Sequence, residues 1–189
     1  MQKKIDPTRR SFVIAAAGVT TALTVAGATS GCQADSGADR QLRFATLAAA
    51  EDELARLAQA GELASSAVWT WARTLAHCAQ SIEFSMSGYP QSKSELFQRS
   101  VGAAALGVFA WRGRMTHDLA EPIPGAPSLE AVADPAPALE RLRAAILAFR
   151  AWSGPLRPHF AYGPLDKKEY ELAHAMHLAN HLSAFRAKS

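Results

Sequence analysis

Apolar residues recur at steps of three and four through most of this chain, and nowhere alternate with polar ones over a useful length. That pattern confines the fold to packed helices. Steps of three and four return to one face of a helix, whereas a half-buried strand needs a period of two. Leu139, Leu142, Ile146 and Phe149 show it most cleanly. Asp134-Pro135 ahead of them is a start signal, a capping side chain followed by the residue that suits a first helical turn, and Gly154-Pro155 closes the segment. Trp71, Leu75, Cys78 and Ile82 repeat between Thr70, a candidate cap, and Gly88-Tyr89-Pro90, so a helix is predicted over 71–87. Another is predicted from Thr46 to about Gly61, with Leu47, Leu54 and Leu57 on its apolar side. Asp166 with Glu169 three residues on is a capping-box pattern, and it opens the last helix.

Two stretches stand apart from these four helices. Ser94 to Trp111 is rich in Ala and Gly and carries Phe97, Val101, Leu106 and Phe109. Its small residues permit close packing or mark a surface that a partner covers. Arg112-Gly113-Arg114 reads as its end, with Gly leaving the helix and Arg facing the negative end of the dipole; an anion site is the alternative. Residues 116–137 contain Pro122, Pro124, Pro127, Pro135 and Pro137, which makes most of them a loop, long enough to cover something. A second loop, Leu156 to Leu165, holds His159, Phe160, Tyr162 and Gly163. The expected fold is therefore all-α: a four-helix bundle with an additional Ala-rich helix and a long Pro-rich loop.

The last helix carries the chemistry. His174, His177 and His181 fall within roughly 60° of one face at 100° per residue. Neutral imidazole is the commonest metal ligand, and a pair at i and i+4 reaches one ion. His77 offers a further point from the second predicted helix, although it lies off that helix's apolar stripe and must then face a cleft at the edge of the bundle. His177-Leu178-Ala179-Asn180-His181 has the spacing of a zinc-protease helix, but Leu178 stands where the general-base glutamate belongs, which argues against a protease. Glu83, Glu171 and Asn180 lie near these motifs without a spacing that marks a base, and Trp69 and Trp71 read as packing residues.

The N-terminus reads as an address. Thr8-Arg9-Arg10-Ser11-Phe12-Val13 resembles the twin-arginine export motif, and the mildly apolar run that follows suits a signal rather than a spanning helix. Thr29-Ser30-Gly31-Cys32 resembles a lipobox, which would place a lipid on Cys32. The expected organisation is a signal over residues 1–32, a polar tether over 33–41 and one domain over 42–189. Location is then the cell envelope or periplasm, reached through the twin-arginine machinery and held at the membrane by the lipid. Lys3, Lys4, Arg9 and Arg10 against Asp6 account for the whole net charge of +3. The rest of the chain is balanced, so it has no electrostatic footprint for nucleic acid. With Cys32 modified, Cys78 is left alone and reads as a small buried hydrophobe.

The segments Trp69 to Glu83, Glu83 to Pro90, Trp111 to Met115, Phe160 to Leu165 and His174-x-x-His177-x-x-x-His181-Leu182 together resemble the DinB-like superfamily, and within it the group catalogued as domain of unknown function 1569. The resemblance implies a four-helix bundle with a cavity at one end. It also implies a divalent ion held by His77, His177 and His181, with His174 as a possible additional ligand. Nickel, zinc and ferrous iron all accept imidazole. Relatives implied by the resemblance include thiol-dependent transferases, so the expected function is a metal-dependent transferase or hydrolase acting on a small molecule. The alternative is a non-catalytic envelope lipoprotein that binds a small molecule or a protein partner.

Overall fold

The structure, a computed structural model, describes residues 39–130 and 132–188, all within the unit that spans residues 34–189. The twin-arginine pair Arg9 and Arg10, the lipobox Cys32 and residues 33–38 of the tether lie outside the described residues.

The helices begin and end where their capping chemistry directs. α1 (Leu47–Ala58) starts at Thr46, whose side chain accepts from the Ala49 N–H. α2 (Trp71–Ser87) starts at Thr70, which accepts from the Arg73 N–H. A short turn, α3 (Glu95–Phe97), runs through a π-helical stretch (Gln98–Gly102) into α4 (Ala103–Arg112), so the predicted Ala-rich helix is one helical run with a π turn inside it. Gly113 ends it in the left-handed conformation, at φ 61°. α5 (Ala136–Ala151) begins one residue later than Asp134-Pro135 suggested, and the Asp134 carboxylate accepts from the Ala136 N–H at 2.9 Å. α6 (Lys167–Leu182) opens with a complete capping box between Asp166 and Glu169.

The expected all-α class holds. The core draws on α1, α2, α5 and α6: Leu47, Leu54 and Leu57 meet Leu75, Cys78 and Ile82, then Leu142, Ile146 and Phe149, then Tyr170, Leu178 and Leu182. Cys78 is a buried free thiol within that core, and burial pushes its pKa up. α2 packs against α5 and α6, and α1 against α6. α4 stands apart, with none of its residues buried and Trp111 85 % exposed. Its small residues thus do not serve close packing among the described residues.

One feature has no counterpart in the periodicity. Leu63–Ser65 (β1) pairs antiparallel with Phe185–Ala187 (β2), Ala64 opposite Arg186. Three residues are too few for an alternating pattern to register. The pair clasps the α1–α2 connection to the chain beyond α6, and Phe185 packs on Trp71 with ring centroids 4.9 Å apart. Arg40, assigned by sequence to the tether, donates to the Leu182 carbonyl and pairs with Glu53. The C-terminal end of α6 is thereby tied both to the chain before α1 and to the α1–α2 connection.

Candidate metal centre

α2 is buried on two sides. Leu75, Cys78 and Ile82 face the apolar core, while Thr74, His77, Gln80 and Ser81 are buried too. This resolves the offset of His77 from the apolar stripe. His77 and Ser81 line a cavity of about 210 Å³, and His174 and His177 line it from α6. Polar residues on a helix are buried without an apolar signature when their neighbour is a cavity rather than a core.

The two helices bring three imidazoles together. The donor nitrogens of His77, His177 and His181 all lie within 4.8 Å of one another. Nε2 of His77 and Nε2 of His177 are 3.2 Å apart. An ion that takes imidazoles at about 2.0–2.1 Å, at angles of roughly 90–110°, holds two such nitrogens about 3 Å apart. The geometry therefore fits one ion between them. Nε2 of His181 is buried and has no hydrogen-bond partner. A buried polar atom without a partner is rare and calls for an explanation, and a ligand role supplies one. These residues are positioned to hold a metal ion.

Electrostatics keep the site in its ligating form. Burial pushes His77 down to about 4, with His117 and Arg73 acting in the same sense. Burial, then neighbouring histidines, hold His177 and His181 well below the usual imidazole range. Neutral imidazole is the state with a free lone pair. Trp69 supports the rings: it lies nearly parallel to His181 at 6.5 Å and edge-on to His77 at 5.1 Å, with the Arg73 guanidinium 4.6 Å from its centre. Trp69 and Trp71 both pack, as expected.

His174 sits one turn earlier on the same face of α6. It lies in the cavity wall, outside the group of three, and burial holds it down to about 3. Its ring is edge-on to Phe149 and stacked on Tyr170.

The remaining walls come from the two loops. The Pro-rich one contributes Met115, Glu121, Pro122, Ile123 and Pro124. The other contributes His159, Phe160, Ala161 and Tyr162. That second loop is tightly built. His159 and Gly163 exchange backbone hydrogen bonds at 2.8 and 3.0 Å, with Gly163 at φ 78°. Gln98, in the π turn, donates to the carbonyls of His159 and Phe160. A Cβ on Gly102 would collide with the Ala161 carbonyl, so the π turn and the loop meet through backbone.

Two residues of this site carry no sequence signal. His117 approaches the cluster from the Pro-rich loop, its ring 5.1 Å from that of His177 and 5.0 Å from that of His181. Glu121 brings a carboxylate to the cavity. Both lie where no periodicity constrains position, and the bare fact that the loop is long was the available pointer. Of the carboxylates near the motifs, Glu83 is engaged outside the site, in a two-pronged pair with Arg141 at 2.6 and 2.8 Å.

A family model described as "Protein of unknown function (DUF1569)" matches residues 37–188, and the chain belongs to that family. No curated protein and no solved structure matches it.

Proposed function

We propose that this DUF1569 member is a DinB-like metalloprotein of the cell envelope, in which His77, His177 and His181 hold one divalent ion at the base of a cavity that admits a small, largely apolar molecule. The observation that carries the reading is the convergence of three imidazoles, His77 and His181 buried and His177 half-buried, with His77 and His177 in the cavity wall and an orphaned nitrogen on both His77 and His181. Nickel, zinc and ferrous iron are all compatible with imidazole donors. Such an ion supplies Lewis-acid polarisation and lowers the pKa of a bound water or thiol.

The protein's own residues supply the rest. Phe160, Tyr162, Ile123 and the prolines present apolar surface to the body of a ligand and exclude water. Glu121, on the Pro-rich loop, lines the same cavity and is the carboxylate to which we assign the part of base, one for which the sequence marked no residue. The activity class this supports is a metal-dependent transferase or hydrolase. Export by the twin-arginine route and lipidation of Cys32 belong to the same proposal, on the strength of the motifs at Arg9-Arg10 and Cys32. Among the described residues no helix is long and apolar enough to cross a membrane. A non-catalytic envelope lipoprotein holding a small molecule or a protein partner draws support from one observation, the Pro-rich loop lying over the histidines.

The test is the metal content of the full 189-residue chain, purified without a histidine tag, beside a variant with His77, His177 and His181 changed to Ala. About one ion per native chain and none in the variant is the expected result. Equal metal in both samples, or none in either after reconstitution with nickel, zinc and iron, would sink the assignment.

A further inference from the structure

His117 is held in the form of a metal ligand without belonging to the group of three. Its Nδ1 lies 2.9 Å from the backbone oxygen of Asp118. A carbonyl oxygen only accepts, so Nδ1 carries the proton and donates. That fixes the tautomer and leaves Nε2 as a bare lone pair. Donation of the second ring nitrogen to a backbone carbonyl is how ligating histidines are oriented and made more basic. The Nε2 so exposed is buried and has no partner. An unsatisfied buried polar atom costs about 1–3 kcal/mol; Nε2 of His174 in the cavity wall is orphaned too, so for His117 the bare atom counts only together with the position of its ring.

Its ring faces the right neighbours. The centroid separations of 5.1 Å to His177 and 5.0 Å to His181 match those within the three-histidine group, which run from 4.6 to 5.1 Å. Yet His117 comes from a loop and not from a core helix. Among the described residues, two hydrogen bonds join residues 115–130 to the ligand-bearing helices: Asn180 Nδ2 to the His117 carbonyl at 3.4 Å and Gln80 Nε2 to the Pro127 carbonyl at 3.2 Å. Each is made by one side chain, so the cost of lifting this segment lies mainly in uncovering Met115 and Ile123, which are buried on it.

We infer that His117 is a fourth imidazole donor carried on a lid, and that it closes the ion's remaining position until an incoming ligand displaces it. The inference rests on the three-histidine metal site proposed above. The group of three leaves His117 out, so Nε2 would join it by movement of the loop once an ion is present. With four imidazoles a tetrahedral ion is saturated. A small molecule with a metal-ligating head group then enters only by taking the place of His117, and binding is coupled to opening of the cavity through Met115, Glu121 and Ile123 on the same segment. Substrate recognition and lid opening become one event.

Cobalt(II) is the probe, because its visible bands are intense in four-coordinate sites and weak once water raises the coordination number. The full chain, His117→Ala, His117→Gln and His181→Ala are titrated with Co(II), with far-UV circular dichroism as the folding control. The native chain should give intense bands. Both His117 variants should bind at least about tenfold more weakly and with weak bands, and free imidazole should restore the intensity in His117→Ala. Residues 115–130 should also be cut faster by protease in Co(II)-loaded His117→Ala than in the loaded native chain. Native spectrum and affinity in both His117 variants, with binding lost in His181→Ala, would overturn the lid ligand and leave the three-histidine site standing. No Co(II) bound by the native chain would overturn both.

Discussion

His159 is the clearest place to turn a geometric reading into a measured energy. Its Nδ1 accepts from the Ala161 N–H at 3.1 Å and the Tyr162 N–H at 3.2 Å. Protonation would place a hydrogen on Nδ1, facing two donors. Burial pushes the pKa down to about 3, with His174 acting in the same direction. The other titratable groups facing it are Tyr89, Tyr162 and Tyr170, whose pKa values burial raises, so they stay neutral through the acid range. The sign follows directly. A histidine whose folded pKa is depressed contributes its full share above about 6.5 and loses it as pH falls toward 3, because only the unfolded chain takes up the proton. Between pH 7.5 and pH 5.0 the loss is about 2 kcal/mol, from a gap of roughly 1.5 units at about 1.36 kcal/mol each. His159→Asn keeps an acceptor at the same branch position and removes the titration. Urea unfolding of the full chain, with chelator present, should therefore show the variant losing about 2 kcal/mol less than the native chain over that interval. At an m of about 2 kcal/mol/M this is a midpoint difference of about 1 M. Every other buried histidine is common to both proteins and cancels. Equal losses in the two would mean that His159 is not held neutral, and the account of the 159–163 loop would fall with it.

Three further outcomes can be checked. Gly102→Ala should cost about 1–3 kcal/mol in thermal unfolding and expose the exchanged His159 and Gly163 amides to faster hydrogen exchange, since the new methyl meets the Ala161 carbonyl; unchanged protection would refute the contact. Leu142→Ala, at a fully buried position in α5, should cost about 2–5 kcal/mol while metal stoichiometry at low temperature stays that of the native chain. Arg9→Lys with Arg10→Lys should block export, and continued arrival of the double variant in the envelope would assign the protein to another route.

What could be read from the sequence follows from what leaves a local trace. Thr46, Thr70 and the Asp166/Glu169 pair announced three helix starts because capping is a contact between residues a few positions apart. His177 and His181 were found for the same reason, being neighbours on one helical face. His77 was noted as a further point from the second helix and joined to the pair by resemblance, against its own periodicity, and packing explains the offset: the buried polar side of α2 looks solvent-facing until the cavity beside it is known. His117 and Glu121 were invisible, because the path of a Pro-rich loop is set by what it lands on. The β1–β2 clasp was missed because its three-residue strands find their partners some 120 positions away.

The division of labour between helices and loops has a consequence for how such a protein can change. His77, His177 and His181 project from α2 and α6, whose other sides are core, so their placement is tied to the stability of the whole unit. Glu121, Ile123, Phe160 and Tyr162 sit on connections that contribute little to that core. Substitution there alters the shape and polarity of the space beside the histidines at small cost to folding. The architecture works as a fixed chassis with exchangeable cladding: one set of three imidazoles, presented to different molecules by rewriting two loops.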